Sequence, residues 1–511
     1  MSTRKSVYKN TRKRKPGISE LLLVVAAAAI MVTTSVIFIT SSGAREEHPE
    51  SSAASGNEPA SPAGAEAGLG NGSASGTEPE SGVDIISAPA VDVNTTQTPV
   101  NSPSDKITVI ELAEKNAELL MPLDEESRSH NAMGVSLIIY DGYEGLYYTY
   151  NYGYAERTPE RPVGTDTKFR IASLSKLVVV MCAMKLVDDG KLDIDEDISE
   201  YLGYNVRNPG YTGTPITSRM LMQHTSSIYD SEAFTESLMG RERRTTQSLL
   251  SSSSSYSGSR PGSSHLYTNF GYSILGAVVE HASGKKLDAF VRENLFGPLD
   301  IDAAFQAVNL TDTSRIAVLF DAGHGVTRSV EAQIANNRSG DLGQDQHIAQ
   351  GGLIISALDY AKILAMLGNG GVFRNERILS PDAVTEIHKA NVEGPGFKQG
   401  LSSRQTGGGS VDFNLLEAIE DDTIWRYINL NDEIVPSDGF YWHTGSAYGV
   451  YAQYIYIAGS GTDEGIGDKN TSRGVVVITT GARSGRAENG MVDICMHLSS
   501  IAWRGLGFNK H

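Results

Sequence analysis

Hydrophobic positions along this chain fall into three regimes. The first is a single unbroken block, Leu21 to Ile39 (LLLVVAAAAIMVTTSVIFI), nineteen residues without a charge. As a helix it would span roughly 28 Å, about one hydrocarbon core. Residues 1–17 before it carry Arg4, Lys5, Lys9, Arg12, Lys13, Arg14 and Lys15 and no acid, a basic flank expected to stay cytoplasmic. A secretory signal has a shorter apolar centre of about 7–15 residues. Residues 18–42 therefore read as an uncleaved transmembrane anchor in preference to a cleaved signal peptide, although Ser42-Gly43-Ala44 offers a small-residue cleavage site. The second regime, residues 43–104, is Ser, Gly, Pro, Ala and Glu with few large apolar side chains. It cannot bury enough surface to offset its ordering entropy and reads as a disordered acidic linker, with a reach of roughly 45 Å.

The third regime, residues 105–511, alternates between the periods of helix and strand. Thr108 to Leu120 (TVIELAEKNAELL) has the amphipathic spacing of an opening helix. Two strand-like runs follow, MGVSLIIYDG and GLYYTYNYGYAE, joined by a short turn containing Asp-Gly as in a hairpin. A long helical interval begins near Ser173, with helical patterns again at Thr217–Gln223, Phe270–Ala282 and Leu358–Leu367. Strand-like runs return at YWHTG, GVYAQYIYIAG and GVVVITTG before a last helix, Asn489 to Trp503. Strands at both ends with helices between predict one sheet closed by the two ends of the domain, with a helical subdomain inserted at roughly 190–340. Ser251–Ser255 is low in complexity and reads as a loop.

Composition narrows the possibilities. The chain has 511 residues and a formal net charge of −18, so polyanions would be repelled over most of its surface and a nucleic-acid partner is disfavoured. Only Cys182 and Cys495 are present, which excludes a disulfide framework or a cysteine-rich metal site. The two could pair, but each sits in an apolar helical context where a buried free thiol is the favoured reading.

The candidate chemistry starts at Ile171-Ala172-Ser173-Leu174-Ser175-Lys176. Serine followed three residues later by lysine at a helix start places both side chains on one face, so the amine can reach the hydroxyl. The pattern is weak alone, because Ser2–Lys5, Ser6–Lys9 and Ser283–Lys286 share it. Further on, Tyr267-Thr268-Asn269 lies where a loop enters a helix, and Tyr8–Asn10 and Tyr427–Asn429 are its decoys. His443-Thr444-Gly445, followed by Ser446, ends a strand-like segment. His224, His265, His281 and His324 fit no metal spacing such as H-E-x-x-H, and neither G-x-S-x-G nor a Walker loop occurs. No metal and no cofactor is expected.

The ordered trio S-x-x-K, Y-x-N and H-T-G resembles the serine β-lactamase and penicillin-binding-protein family, in particular its class C branch. Ile216-Thr217-Ser218-Arg219-Met220-Leu221-Met222-Gln223-His224-Thr225-Ser226 and Gln350-Gly351-Gly352-Leu353 extend the likeness, which covers roughly residues 110–505. The resemblance implies an α/β fold, a central antiparallel sheet flanked by helices, with an all-helical domain across a cleft. It implies Ser173 as acyl-forming nucleophile, Lys176 assisting its deprotonation, and Tyr267 relaying a proton. Asn269 would hold a substrate amide, and His443, Thr444 and Gly445 would dock the substrate carboxylate and backbone. The N–H groups of Ser173 and Ser446 would form the oxyanion hole.

Two features set this chain apart. His443 stands where class C β-lactamases usually carry lysine, and H-T-G is instead similar to class C-type D-alanyl-D-alanine peptidases. Val392 to Asp438 is long and polar, a lid over the cleft or, more simply, a surface excursion. The function the resemblance implies is an anchored D-Ala-D-Ala carboxypeptidase acting on peptidoglycan stem peptides outside the cell membrane. The alternatives are a β-lactamase, an esterase or amidase of the same branch, and a non-catalytic penicillin-sensing or wall-binding protein.

Overall fold

The long β-branched and aromatic runs all become strands of one sheet. The structure is a computed structural model in which residues 106–337, 340–344, 348–394, 397–406, 440–457, 472–486 and 490–506 are described. The basic tail, the apolar block at 18–42, the linker at 43–104 and residues 407–439 of the polar excursion lie outside the described residues. Among the described residues no helix is long and apolar enough to cross a membrane.

The sheet comprises β1 (Thr108–Glu111), β2 (Gly134–Asp141), β3 (Leu146–Arg157), β4 (Glu160–Pro162), β5 (Val392–Gly394), β6 (Phe397–Gln399), β7 (Arg404–Thr406), β8 (Phe440–Ala447), β9 (Val450–Ile457) and β10 (Arg473–Thr480). Their order is β1-β3-β2-β10-β9-β8-β7-β6-β5, with β4 paired to β3. The amino-terminal hairpin thus joins the carboxy-terminal strands through an antiparallel β2–β10 pairing, Ile138 opposite Val476. Only β1 runs parallel to its neighbour. Here the expected opening helix at Thr108–Leu120 is corrected. Thr108–Glu111 pairs with Leu146–Thr149, and helix begins only as a single turn at Leu112–Lys115. Thr-Val-Ile is β-branched, and an available sheet edge outweighs the helical spacing of the apolar positions.

Helices cover both faces. We number the principal ones α1 (Leu120–Ser129), α2 (Ser175–Asp188), α3 (Asn269–Ser283), α4 (Ala357–Gly368) and α5 (Asp493–Gly505). Because successive strand residues point to opposite faces, Ile138, Tyr140, Val476 and Ile478 enter the core shared with α2, α3 and α4. Val135, Leu137, Ile139, Val475 and Val477 pack instead with Leu123 of α1 and with Cys495, Leu498 and Ile501 of α5. The β2 positions are buried on both faces throughout, so apolar residues follow one another from Leu137 to Tyr140 in place of strict alternation. Between α2 and α4 the chain makes short helices around α3, with one small ladder of Leu319–Phe320 and Val326–Arg328 that an all-helical insert did not anticipate. The serine run is not simply a loop: Ser253–Ser255 forms a 3₁₀ turn and the Ser255 hydroxyl donates to Leu249 O at 2.7 Å.

Cys182 belongs to one of these cores and Cys495 to the other, both are free, and the sheet separates them. Burial pushes both thiols well above their ordinary range. The native protein should therefore give no fast reaction with Ellman's reagent and two thiols per chain after denaturation. Reductant should leave its melting temperature unchanged; fast native labelling would contradict this arrangement.

Candidate active site

Ser173 sits in a 3₁₀ turn, Ala172–Leu174, that leads into α2. Ala172 holds φ at +49°, a left-handed conformation rare for a residue with a Cβ, so the turn stores local strain next to the reactive hydroxyl. Lys176 is fully buried one turn on. Its Nζ donates to Ser173 Oγ at 3.1 Å, Asn269 Oδ1 at 3.0 Å and Gln350 O at 2.8 Å. Three acceptors match the three N–H bonds of an ammonium, which is what a buried amine requires. They come from the S-x-x-K turn, the Y-x-N loop and the Gln350-Gly351-Gly352 turn, so three distant stretches of sequence meet at one nitrogen.

Tyr267 completes the group, its hydroxyl donating to Ser173 Oγ at 2.9 Å. Burial pushes this phenol up, but the charge of Lys176, hydrogen bonding with Lys176 and Ser173, and Arg404 outweigh it and hold it below the ordinary value. Lys176 Nζ also lies 5.1 Å from the Tyr267 ring centre. The ring packs on His224, with centroids 4.3 Å apart, and His224 Nδ1 accepts from Thr268 N at 3.3 Å. Burial holds His224 neutral, consistent with a support for the loop.

Asp230 is a residue that sequence reading missed. Its carboxylate accepts from Thr268 Oγ1 at 2.5 Å, Asn269 N at 2.9 Å, Asn269 Nδ2 at 2.9 Å and Phe270 N at 2.8 Å. A carboxylate at the first turn of α3 satisfies orphan amides and meets the positive end of the helix dipole. Asn269 is thereby fixed at both ends, between Asp230 and Lys176, and its described bonds go to protein groups. The available signal was an acid a few residues beyond His224-Thr225-Ser226.

The opposite wall is β8. Arg404 to Thr406 pair with Trp442 to Phe440, and among the described residues no strand pairs with β8 on that side beyond Trp442. Gly445 lies so close to the serine turn that a Cβ there would stand 2.3 Å from Ile171 O. Only glycine permits this approach, and it brings Ser446 to the cavity that Ser173 faces. The β8–β9 turn uses Tyr448 at φ +55° and Gly449 at φ +80°, the conformation a two-residue hairpin needs.

A cavity of about 650 Å³ opens between these walls, lined by Ser173, Tyr267, Asn269, Gln350, His443, Thr444 and Ser446. The expected site residues are therefore brought together. His443 is buried with Nδ1 2.8 Å from Thr444 O, and burial followed by Arg404, Lys176 and Arg486 drives it well below its ordinary value. It is a neutral ring and not a carboxylate-binding cation. Positive charge comes instead from Arg170, Arg404 and Arg486, and no Asp or Glu is among the described lining residues. Arg486 donates to Thr444 Oγ1 at 3.3 Å and to Gly490 O at 2.9 Å, and Arg404 stacks over Phe397 at 4.3 Å.

A serine beside a left-handed Ala172, a buried lysine and a depressed phenol on a helix-flanked antiparallel sheet define a serine acyl-transfer site. The beta-lactamase family model matches residues 115–491, and the chain belongs to that family. The Escherichia coli D-alanyl-D-alanine-carboxypeptidase/endopeptidase AmpH is 30% identical over 174 residues, 33% of this chain and 44% of that protein, so the match spans less than half of the relative's length. Bacillus subtilis N-acetylmuramyl-L-alanine amidase is 26% identical over 363 residues, 62% of this chain and 78% of that one. The fold is similar to a class C beta-lactamase solved with cefoxitin, with TM-score 0.55 and 17% identity over 76% of this chain and 99% of that one. Beta-lactamase/D-alanine carboxypeptidase from Pseudomonas syringae gives the same values.

Three outcomes follow. If Tyr267 accepts the proton as phenolate, kcat/KM should rise with pH along a limb below the ordinary phenol value of 10.0, with no limb from His443 near 6.5. Tyr267→Phe should lose about 10²–10⁴-fold in rate while still binding ligand; undiminished turnover would refute the relay. Asp230→Ala should cost about 2–3 kcal/mol in denaturant unfolding and lower kcat, since it frees Asn269 and uncaps α3. Unchanged values of both would remove Asp230 from the site's support.

Proposed function

We propose that this protein is a D-Ala-D-Ala carboxypeptidase acting on peptidoglycan stem peptides. One observation carries the reading: the Ser173–Lys176–Tyr267 group faces a cavity whose described charged lining is Arg170, Arg404 and Arg486. A peptide ending in a free carboxylate is the complementary substrate. It would lie along the open edge of β8 as an added strand, with its terminal carboxylate against Thr444, Arg404 and Arg486.

In the reaction Ser173 Oγ attacks the carbonyl carbon of the scissile amide while its proton passes to the Tyr267 oxygen. The Ser173 and Ser446 N–H groups take up the charge on the carbonyl oxygen. The C–N bond breaks as Tyr267 returns the proton to the leaving D-alanine nitrogen, giving an acyl-serine. Water attacks that ester, its proton again received by Tyr267, and Ser173 regains its hydrogen as the peptide departs. Lys176 lies beside Tyr267 and favours its phenolate form. The apolar block and basic flank at the amino terminus support placing this site outside the membrane on a tether. The named E. coli relative is a carboxypeptidase, which agrees with this reading.

The test incubates the purified full-length protein, beside Ser173→Ala, with a peptide ending in D-Ala-D-Ala, a fluorescent penicillin and a muramyl-L-alanyl peptide. Ser173-dependent D-alanine release with a long-lived penicilloyl adduct is expected. Fast penicillin hydrolysis without D-alanine release would make it a β-lactamase. Release of the L-alanyl peptide alone would make it an amidase, in line with the Bacillus relative.

A further inference from the structure

A second cluster of chemistry-bearing side chains lies away from the cavity, on the α1–α5 side of the sheet. Glu126 belongs to α1, His130 caps its carboxy-terminal end, and His497 lies on α5. One carboxylate oxygen, Glu126 Oε1, is 2.9 Å from His130 Nε2 and 2.6 Å from His497 Nδ1. The Glu126 side chain is 2% exposed and those of His130 and His497 are 18% and 12%. The ligating atoms all lie within 4.8 Å of one another.

The far side of His130 fixes what the near side can be. Its Nδ1 is 2.6 Å from the carbonyl oxygen of Arg483, an acceptor only, so Nδ1 carries the hydrogen. In the neutral ring Nε2 is then a lone pair aimed at a carboxylate oxygen that also offers lone pairs. A buried contact of that kind needs a cation between the atoms, either a proton carried by the imidazole or the carboxyl, or a metal ion. An imidazole whose outer N–H is anchored on a backbone carbonyl is also how metal-ligating histidines are held.

We propose that Glu126, His130 and His497 form a binding site for a divalent transition metal of the zinc type. Two imidazole nitrogens and one carboxylate oxygen are a common protein ligand set for zinc. Bonds of about 2.0–2.2 Å require the ligand atoms to move from hydrogen-bond spacing to roughly 3.3 Å apart, within reach of small side-chain rotations. The partial exposure of both rings leaves an open coordination position and an entry path. Asp493, one turn before His497 on the same face of α5, adds negative charge toward His130. The ion would join the helices at the two ends of the folded body. It would also hold the segment leading to the cavity, since Arg483 N donates to His130 O at 2.7 Å and Arg486, three residues on, reaches Thr444. The H-E-x-x-H motif does not describe this site, because its i, i+4 pair is a glutamate and a histidine and its second histidine is on the other terminal helix.

The full-length protein, stripped with chelator, is titrated with Zn²⁺ by calorimetry and its thermal melt followed with and without the ion. One equivalent per chain and a raised melting temperature are expected. In His497→Gln and His130→Gln the affinity should fall at least tenfold and the thermal shift should vanish, while Ser173→Ala behaves as wild type. No stoichiometric uptake, or uptake that both glutamine variants retain in full, overturns the site and leaves the cluster bridged by a proton. Zinc K-edge absorption of the loaded wild-type protein needs no variant: two imidazole ligands support the assignment, and a shell with none refutes it.

Discussion

The buried ammonium of Lys176 is the constraint on which the active site depends. A charge without solvent costs several kcal/mol unless every N–H is matched, and each match here comes from a different part of the chain. Ser173 is local, Asn269 is 93 residues away and Gln350 is 174 away. The helical insert and the sheet-side body must therefore both be in register before Lys176 can be accommodated. The same nitrogen then biases Tyr267, so one buried charge both assembles the site and sets its proton chemistry. Asp230 extends that logic, because a carboxylate binding Asn269 and the first amides of α3 fixes the acceptor that Lys176 needs.

The second wall depends on close approach. The serine turn and β8 meet at Gly445, where no side chain fits, and β7 stops pairing after Trp442. A sheet edge left open beside a nucleophile is an anomaly in a stable fold, since unpaired strand groups invite association. Beside Ser173 it is the edge on which the proposed peptide substrate would add as a strand, with Arg404 and Arg486 at its margin.

What could be read in the sequence was what is local. Ser173 and Lys176 lie one helical turn apart, and β2, β9 and β10 announce themselves as long β-branched or aromatic runs, so the meeting of these two side chains and the sheet's centre were legible. Thr108–Glu111 was not, because its strand conformation is conferred by the edge of β3, a tertiary partner. Arg404, Arg486 and Asp230 are ordinary charged residues until the fold carries them to the cavity. His443 shows the limit most clearly. Its position in the motif was evident, but its charge state depends on burial beside Lys176, Arg404 and Arg486, which no spacing reveals.

That charge state bears on how the site recognises its substrate. A chain with a net charge of −18 would repel an anionic peptide at long range, yet the described cavity lining presents guanidinium groups and no carboxylate. Screening over about 8 Å at physiological ionic strength keeps the distant acids from cancelling them. Guanidinium groups hold their charge across the whole working range of pH, whereas a histidine in the same place would release its hold on a carboxylate near neutrality. With His443 neutral and guanidinium groups lining the cavity, the proposed hold on a carboxylate is separated from the proton chemistry at Tyr267.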